Sequence, residues 1–334
     1  MMLAIALLLG SAVVIYLSCE YFVNSIEWVG RRLGIAQSAV GTVLAAFGTA
    51  LPESVVTFVA VVFGRDPAHR EIGVGAALGG PLVLATIAYA VVGLMFVLNR
   101  KKLGVILLSA SAAQRLSRDQ AWFIAIFLLK VGLGLLAFTL KPWLGIPFLL
   151  AYGLYIWGEI RKPGDTDAEA HALEPLKFRP HEPQPGLGWA LLQTLVALTV
   201  IFLSSQLFVR QLGEISPWLG ISPQLTALLL SPIATELPEI LNAVIWVRQG
   251  KQVLALSNIS GAMMIQASIP TALVLIFTPW MLGPALVWAA AITMLSMLGL
   301  YLLLRNGMLT GGRLTLFGSL YLLFAAGLGV IGVH

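Results

Sequence analysis

The sequence predicts an all-α integral membrane protein whose ten transmembrane helices form two inverted five-helix repeats. Only 10% of its 334 residues are charged, 59% are hydrophobic and the mean hydropathy is +0.93, whereas about a quarter of the residues in soluble domains are charged. The second observation is a repeated pattern, T-x-L-P-E, at residues 49–53 and 235–239. Each copy falls on the second apolar segment of its half of the chain, which indicates an internal duplication.

The apolar segments are long enough to cross a bilayer, since about 20 helical residues span its hydrocarbon core. Ten candidates lie at roughly residues 1–28, 38–63, 71–98, 119–139, 142–160, 187–212, 222–247, 252–276, 280–304 and 312–333. The first has no positively charged residues before it, so it is predicted to be a retained span rather than a signal peptide. Lys130 interrupts the fourth and is expected either to reach the interface or to face the protein interior.

Basic residues predict the orientation, because the cytoplasmic loops of membrane proteins are enriched in Lys and Arg. With ten spans, fifteen of the 20 Lys and Arg residues fall on one side of the membrane and four on the other. Loops that follow odd-numbered spans are therefore predicted to be cytoplasmic, with both termini outside. The expected setting is the lipid bilayer of the plasma (inner) membrane. Because the basic residues lie in short loops, nucleic acid is not an expected partner.

Three regions are predicted: a first five-helix repeat over residues 1–160, a cytoplasmic linker over 161–186 and a second repeat over 187–334. The linker is rich in Pro, acidic residues and His. One interpretation is a metal-sensing loop formed by Asp165, Asp167, Glu169, His171 and Glu174. A solvated connection is favoured, because the spacing fits no defined Ca²⁺ loop.

An odd number of spans in each half makes the two halves cross the membrane in opposite senses. The T-x-L-P-E segments are therefore expected to run antiparallel and to meet near the midplane. Pro52 and Pro238 lack an N–H, so the carbonyls of Gly48 and Ala234 lose their helical partners and each helix is expected to open. Such carbonyls are costly inside a membrane unless something binds them.

The residues around each proline supply the rest of a cation site. Oxygens of Thr49, Glu53, Thr235 and Glu239 join the freed carbonyls as hard ligands suited to Ca²⁺, Mg²⁺ or Na⁺, and intramembrane carboxylates are functional candidates by default. The alternative is a proline kink whose glutamate pairs with an arginine or a backbone group. Two antiparallel copies make that alternative less favoured.

Two segments, AAFGTALPE at residues 45–53 and SPIATELPE at 231–239, resemble the G-T-S-L-P-E motif of the cation/Ca²⁺ exchanger superfamily. The resemblance covers nearly the whole chain and implies a sodium/calcium exchanger-like fold. It also implies alternating access, in which the first and sixth helices slide over the other eight. Glu53 and Glu239 match the family's central carboxylates, and Thr49 and Thr235 match its threonines.

The function implied by the resemblance is secondary-active cation antiport, with Ca²⁺ as the expected cargo and Na⁺ or H⁺ as the coupling ion. Two alternatives stay open, namely an exchanger-fold carrier for another cation and a degenerate membrane protein that binds cations without transporting them. No nucleotide or covalent cofactor motif occurs in the sequence, so energy is expected to come from an ion gradient. The oligomeric state is left open.

The chain departs from the family pattern in both motifs. Ala50 and Glu236 stand where the family has Ser before Leu-Pro-Glu, and Pro81 and Met263 replace polar ligands of a G-S-N-x-x-N motif. Glu236 is expected to be a further ligand or, alternatively, to turn away and bind a backbone N–H. Because several carboxylates close together repel one another, at least one is expected to hold a proton when no cation is bound. Proton coupling is therefore more plausible than in relatives with Asn and Ser ligands, and the loss of hydroxyls puts Na⁺ coupling in doubt.

Further residues are expected to surround the ligands. They lie beside the T-x-L-P-E segments or on the third and eighth spans, and they are Ala50, Asn242, Asn258, Ser231, Ser257, Gln266, Pro81 and Met263. For the polar members, interhelical hydrogen bonding is the favoured alternative.

A membrane-embedded enzyme is the main rival class. An intramembrane metalloprotease needs H-E-x-x-H, but all four histidines lie in predicted loops or at the terminus. The aspartates likewise fall outside the apolar cores, which leaves no aspartyl pair at membrane depth. The protein is therefore not expected to be an enzyme.

Overall fold

The computed structural model describes residues 2–33, 45–64, 66–99, 108–160 and 173–331, and within these ranges the chain is helical and contains no strand. The first half forms α1 (Met2–Arg32), α2 (Ala45–Val62), α3 (Pro67–Val83), α4 (Tyr89–Leu98), α5 (Ala110–Gly134) and α6 (Gly145–Ile160). The second half forms α7 (Leu187–Leu219), α8 (Pro223–Thr235), α9 (Leu237–Arg248), α10 (Gln252–Phe277), α11 (Pro284–Arg305), α12 (Gly311–Thr315) and α13 (Phe317–Ile331). A π-helical stretch, Leu84–Ala88, joins α3 to α4, and a 3₁₀ turn, Lys141–Leu144, precedes α6.

In the described part of the chain, six helical stretches are long and apolar enough to cross a membrane. They are Met2–Arg32, Pro67–Leu98, Leu187–Leu219, Gln252–Phe277, Pro284–Arg305 and Gly311–Ile331. Helices α8 and α9 form a seventh if they are taken as one span bent by 41°. The predicted all-helical, multi-pass membrane class is therefore confirmed. Helices α2, α5 and α6 occupy the positions of the other three predicted spans, and the count of ten stays a prediction.

Helices from the two halves pack against each other in three extensive pairs: α1 with α7, α3 with α8, and α2 with α10. Glycines permit the approach of α3 to α8. A Cβ at Gly75 would collide with the carbonyl of Gln224, and one at Gly79 would lie 2.6 Å from the Leu228 carbonyl oxygen. Helix association in membranes depends on such packing of small residues, because lipid tails are as apolar as the side chains. Helix α3 consequently lies directly against the helix that carries the second T-x-L-P-E segment.

The two T-x-L-P-E segments affect their helices differently. In the second copy α8 ends at Thr235 and α9 begins at Leu237, with Glu236 between them. Pro238 cannot donate a hydrogen bond to the helix before it, which accounts for the 41° bend. Helix α2, by contrast, continues through Pro52. The expected opening therefore occurs in the second copy, whereas the described backbone of the first copy stays helical.

Residues 173–186 fold back onto α1 and α7, whereas their composition indicated a solvated connection. Leu176 is fully buried and packs against Trp28 of α1. The Trp28 indole N–H donates a 2.9 Å hydrogen bond to the Glu174 carbonyl. The Asn24 side chain both donates to and accepts from the backbone of this segment. The segment therefore connects the C-terminal end of α1 to the N-terminal end of α7, the two ends predicted to face the cytoplasm.

The predicted metal-sensing loop falls largely outside the described residues, which exclude Asp165, Asp167, Glu169 and His171. Glu174 is described, and its side chain is exposed. The backbone carbonyl of Glu174 accepts hydrogen bonds from the Asn24 and Trp28 side chains of α1.

Candidate functional site

Glu53 of α2 and Glu236, at the break between α8 and α9, meet inside the protein, and both side chains are fully buried. The Thr235 hydroxyl lies 3.1 Å from Glu53 Oε2 and 2.7 Å from Glu236 Oε1. A third acceptor, the Ser231 carbonyl, lies 3.3 Å from the same hydroxyl. A hydroxyl has a single proton to donate, so Thr235 cannot satisfy all three acceptors at once. Since the two carboxyls are also within hydrogen-bonding reach of each other, they are placed to share a proton or a cation.

Gln266 completes this cluster from α10. Its Nε2 donates a 2.7 Å hydrogen bond to Glu236 Oε2, and the side chain is fully buried. In the described ranges, Gln266 Oε1 and Glu53 Oε1 are buried oxygens without a hydrogen-bond partner. Buried acceptors left unsatisfied cost about 1–3 kcal/mol each. A bound cation would remove this cost, so the chemistry of these oxygens fits a cation as occupant.

Gly80 of α3 provides the room in which these oxygens converge. A Cβ at this position would lie 2.8 Å from Gln266 Oε1 and 2.9 Å from a carboxyl oxygen of both Glu53 and Glu236. The next residue, Pro81, is buried and presents no ligand oxygen from its side chain. The cluster consequently draws its side-chain oxygens from α2, α10 and the α8–α9 break, and α3 contributes space.

Glu239, the predicted counterpart of Glu53, is fully buried in the first turn of α9. It lies near the buried Cys19 of α1. Among the described residues, no three His, Cys, Asp or Glu side chains are close enough to hold a metal ion together. Glu53 and Glu236 are the pair of carboxyls that the structure shows meeting at one hydroxyl, and the part of Glu239 in the site stays a prediction.

The other predicted residues are distributed around this cluster. Gly48 and Thr49 are described only as helical backbone, and the side chain of Thr49 lies outside what the structure describes. Buried residues among the predicted set are Ala50, Ala234, Ser231, Asn258, Pro81 and Met263, whereas Asn242 and Ser257 are partly exposed. The Ser231 carbonyl accepts from Thr235, which connects this residue to the cluster.

Lys130 of α5 is a residue whose role the sequence analysis left unassigned. The side chain is fully buried, and its Nζ donates a 2.6 Å hydrogen bond to the Ala77 carbonyl of α3. It lies close enough to Glu53 for the two side chains to interact electrostatically. One signal was present in the sequence: Pro81 stands four residues after Ala77 and has no N–H to give to that carbonyl. An acceptor in need of a donor was therefore predictable, although the identity of the donor was not.

A family model described as sodium/calcium exchanger protein matches residues 3–160 and 189–332. The chain belongs to the sodium/calcium exchanger family. The match covers both halves and omits most of the linker, and it confirms the resemblance inferred from the T-x-L-P-E segments. This family consists of membrane ion exchangers and is not an enzyme class.

Individual relatives are similar over most of the chain. A protein named as the antiporter CaxA, from Alkalimonas amylolytica, is 27% identical over 268 residues, which are 78% of this chain and 77% of that protein. The inner membrane protein YrbG of Escherichia coli strain K12 is 26% identical over 296 residues, which are 85% and 83% of the two chains.

Two solved structures share the fold of this exchanger. The H⁺/Ca²⁺ exchanger CAX superposes with a TM-score of 0.72 at 16% identity, covering 97% of this chain and 81% of its own. The sodium-calcium exchanger NCX_Mj superposes with a TM-score of 0.61 at 19% identity, covering 97% and 98%. One of these proteins is named as an H⁺/Ca²⁺ exchanger and the other as a sodium-calcium exchanger. The fold alone therefore does not identify the coupling ion of this exchanger.

Proposed function

We propose that this exchanger is a secondary-active antiporter that moves Ca²⁺ in exchange for H⁺ by alternating access. The observation that carries the proposal is the meeting of Glu53 and Glu236 at the Thr235 hydroxyl. Two carboxylates and two neutral side-chain oxygens form a hard-oxygen set of the kind that Ca²⁺ prefers. Because Ca²⁺ takes six to eight oxygens, further ligands are proposed to come from Glu239, Thr49 and the freed carbonyls of Gly48 and Ala234.

The same geometry supports H⁺ as the coupling ion. Two fully buried carboxylates that share one hydroxyl proton repel each other, so a proton held between them relieves the repulsion. An arriving divalent cation replaces that proton, because the proton neutralises one of the two carboxylate charges and the cation neutralises both. Ala50 offers no hydroxyl at the position where the family carries Ser, which makes a Na⁺ site less favoured.

Alternating access is proposed to use ten spans arranged as two inverted repeats. A two-fold axis that exchanges the halves relates α2 to the α8–α9 pair and α3 to α10. Under this symmetry the packing of α2 on α10 is equivalent to the packing of α8 on α3. Both helix pairs are in extensive contact, which supports the repeat. Both termini are proposed to lie outside the plasma (inner) membrane, with residues 161–186 in the cytoplasm, in agreement with the distribution of Lys and Arg.

The test is uptake of ⁴⁵Ca²⁺ into proteoliposomes under an imposed pH gradient or an imposed Na⁺ gradient. We expect uptake with the pH gradient, its loss in Glu53→Gln, and normal uptake in Glu214→Gln. Glu214 is a matched control because it is an exposed helical glutamate paired with Arg210 at the surface. Uptake driven by Na⁺ alone would replace H⁺ as the coupling ion. Tight ⁴⁵Ca²⁺ binding without uptake would instead favour a degenerate, non-transporting protein. If the protein neither binds nor takes up ⁴⁵Ca²⁺, a carrier for another cation is favoured.

A further inference from the structure

The buried ammonium of Lys130 is held from several sides. The rings of Phe127 and Trp280 lie with their centroids 5.5 Å and 5.7 Å from Nζ, at distances suited to cation–π attraction. The Trp280 indole donates a 2.9 Å hydrogen bond to the Lys130 backbone carbonyl. Both ends of the lysine are therefore fixed, which indicates a defined position for its charge within the membrane domain.

The partner of the ammonium is a carbonyl that the sequence of α3 leaves open. In a helix the Ala77 carbonyl would accept from the N–H of the residue four positions on, but that residue is Pro81. The Lys130 Nζ lies 2.6 Å from this oxygen. Backbone carbonyls freed in this way are typical ligands for cations inside membrane transporters. In this protein the group that binds the freed Ala77 carbonyl is the side-chain ammonium of Lys130.

This charge lies beside the candidate transport site. Ala77 and Gly80 are three residues apart on one face of α3, about 4.5 Å along the helix axis. Gly80 borders the carboxyl oxygens of Glu53 and Glu236, and Lys130 acts electrostatically on Glu53. The ammonium consequently stands about one helical turn away from the point where these oxygens converge.

We propose that Lys130 is a tethered cation of the transport site, whose fixed positive charge limits how tightly the carboxylates bind a transported cation. The proposal rests on the proposed antiport function. A carrier must bind its ion strongly enough to select it and weakly enough to release it. Lys130 offsets part of the negative charge of Glu53 and Glu236 without leaving the site, so the transported cation meets a smaller net charge.

Lys130→Met is the decisive variant, because it keeps the length and apolar stem of the side chain and removes the charge. Lys130→Arg keeps the charge. Lys141→Met is a matched control, since Lys141 is also buried and its ammonium binds backbone carbonyls of Pro279 and Trp280, both at 3.0 Å. Each protein is purified in detergent for cation binding and reconstituted for uptake.

We expect Lys130→Met to lower the Kd for ⁴⁵Ca²⁺ by about a hundredfold and the competing Kd for Na⁺ by about tenfold. The two changes differ because the interaction with a fixed charge is proportional to the charge of the ion. The KM for Ca²⁺ and the turnover rate both fall, since tightly bound ions leave slowly. Lys130→Arg and Lys141→Met retain Kd values close to those of the wild type. A structural defect would have the opposite sign, so weaker or unchanged binding in folded Lys130→Met overturns the proposal.

A second measurement separates this proposal from the choice of cargo, because it needs no bound ion. Thermal unfolding is followed for the wild type, Lys130→Met, Glu53→Gln and the double variant. If Lys130 is a counter-charge for Glu53, the loss in Tm caused by Lys130→Met is smaller by several degrees in the Glu53→Gln background. Additive losses overturn the tethered-cation proposal even when ⁴⁵Ca²⁺ is transported. If coupling is present but Ca²⁺ does not bind, the tethered charge stands and the proposed cargo is wrong.

Discussion

Gln266 Nε2 donates a 2.7 Å hydrogen bond to Glu236 Oε2 and so connects α10 to the break between α8 and α9. Because Gln266 is fully buried, this amide fixes the direction of a carboxylate that could otherwise have turned onto a backbone N–H. Glu236 instead points at the Thr235 hydroxyl that it shares with Glu53. A glutamate that the family pattern does not contain is thus held in the cluster by a glutamine.

Gln266→Leu is expected to weaken Ca²⁺ transport by raising KM. The substitution leaves the Glu236 carboxylate without its amide donor and removes one candidate ligand oxygen. Hydrogen bonds to charged groups contribute about 1.5–3 kcal/mol, so KM should rise by roughly tenfold to a hundredfold. Gln211→Leu is the control, since Gln211 is a buried glutamine on α7. Equal KM values for the two variants would show that Gln266 plays no part in the site.

Gly80→Ala is expected to abolish uptake while the protein still folds. The added methyl group would lie 2.8–2.9 Å from oxygens of Gln266, Glu53 and Glu236, closer than a methyl carbon and an oxygen approach without displacement. Gly132→Ala provides the matched control, because a Cβ at Gly132 meets nothing within 4 Å. Transport rates are compared after both proteins have been shown to elute as single species. Wild-type uptake by Gly80→Ala would place the transported ion elsewhere.

Asn24→Leu is expected to release residues 173–186 from α1. The Asn24 side chain donates to the Pro175 carbonyl, accepts from the Lys177 N–H and also accepts from Gln193 of α7. Its loss should raise deuterium uptake in this segment at least tenfold, as measured by hydrogen exchange with mass spectrometry.

The control for this release is Glu20→Gln, which breaks the partly exposed ion pair of Glu20 with Lys177 and leaves Asn24 in place. Exposed ion pairs contribute about 0–1 kcal/mol, so exchange in residues 173–186 should change little. Similar exchange in both variants would mean that the buried asparagine does not hold the segment.

Much of this architecture was predictable because the physical rules behind it are local. Apolar length predicts spans, and Pro238 predicts the helix break at which Glu236 stands. The relative rotation of helices was not predictable, because packing decides it: Gly75 and Gly79 set how closely α3 approaches α8. The sequence could therefore name Glu53, Glu236 and Glu239 as candidate ligands, but it could not predict that Glu53 and Glu236 meet at the Thr235 hydroxyl.

Lys130 and the linker show a second limit. An isolated lysine in an apolar span is compatible with several positions, and only the fold places it on the Ala77 carbonyl. Residues 173–186 look solvated by composition, yet the segment is held mainly through backbone groups, such as the Glu174 carbonyl on Trp28. Backbone contacts leave no compositional signal.

Asp66→Ala is expected to lower the stability of the N-terminal end of α3 in a pH-dependent way. The Asp66 carboxylate caps α3 by accepting from the His69 backbone N–H at 3.0 Å, and this bond holds the pKa of Asp66 below its usual value. Such caps contribute about 1 kcal/mol. A lowered folded-state pKa means that the contribution is complete above the unfolded pKa of about 3.9 and is lost as pH falls through the folded pKa. The Tm difference between the wild type and Asp66→Ala should therefore be present at pH 7 and shrink below about pH 4. A difference that is constant over this range would exclude the cap.

Glu236→Gln is expected to uncouple uptake from the pH gradient. The wild-type pair, Glu53 with Glu236, can hold a proton between two carboxyls and give it up when a cation arrives. A glutamine at position 236 keeps a side-chain oxygen near the Thr235 hydroxyl but removes the charge that makes the shared proton favourable. Ca²⁺ should then bind more weakly, and the initial rate of ⁴⁵Ca²⁺ uptake should no longer rise with the size of the imposed pH gradient. Glu214→Gln, measured in parallel, should keep the wild-type dependence. If Glu236→Gln also keeps it, the proton is carried by another group, and Glu236 acts only as a ligand.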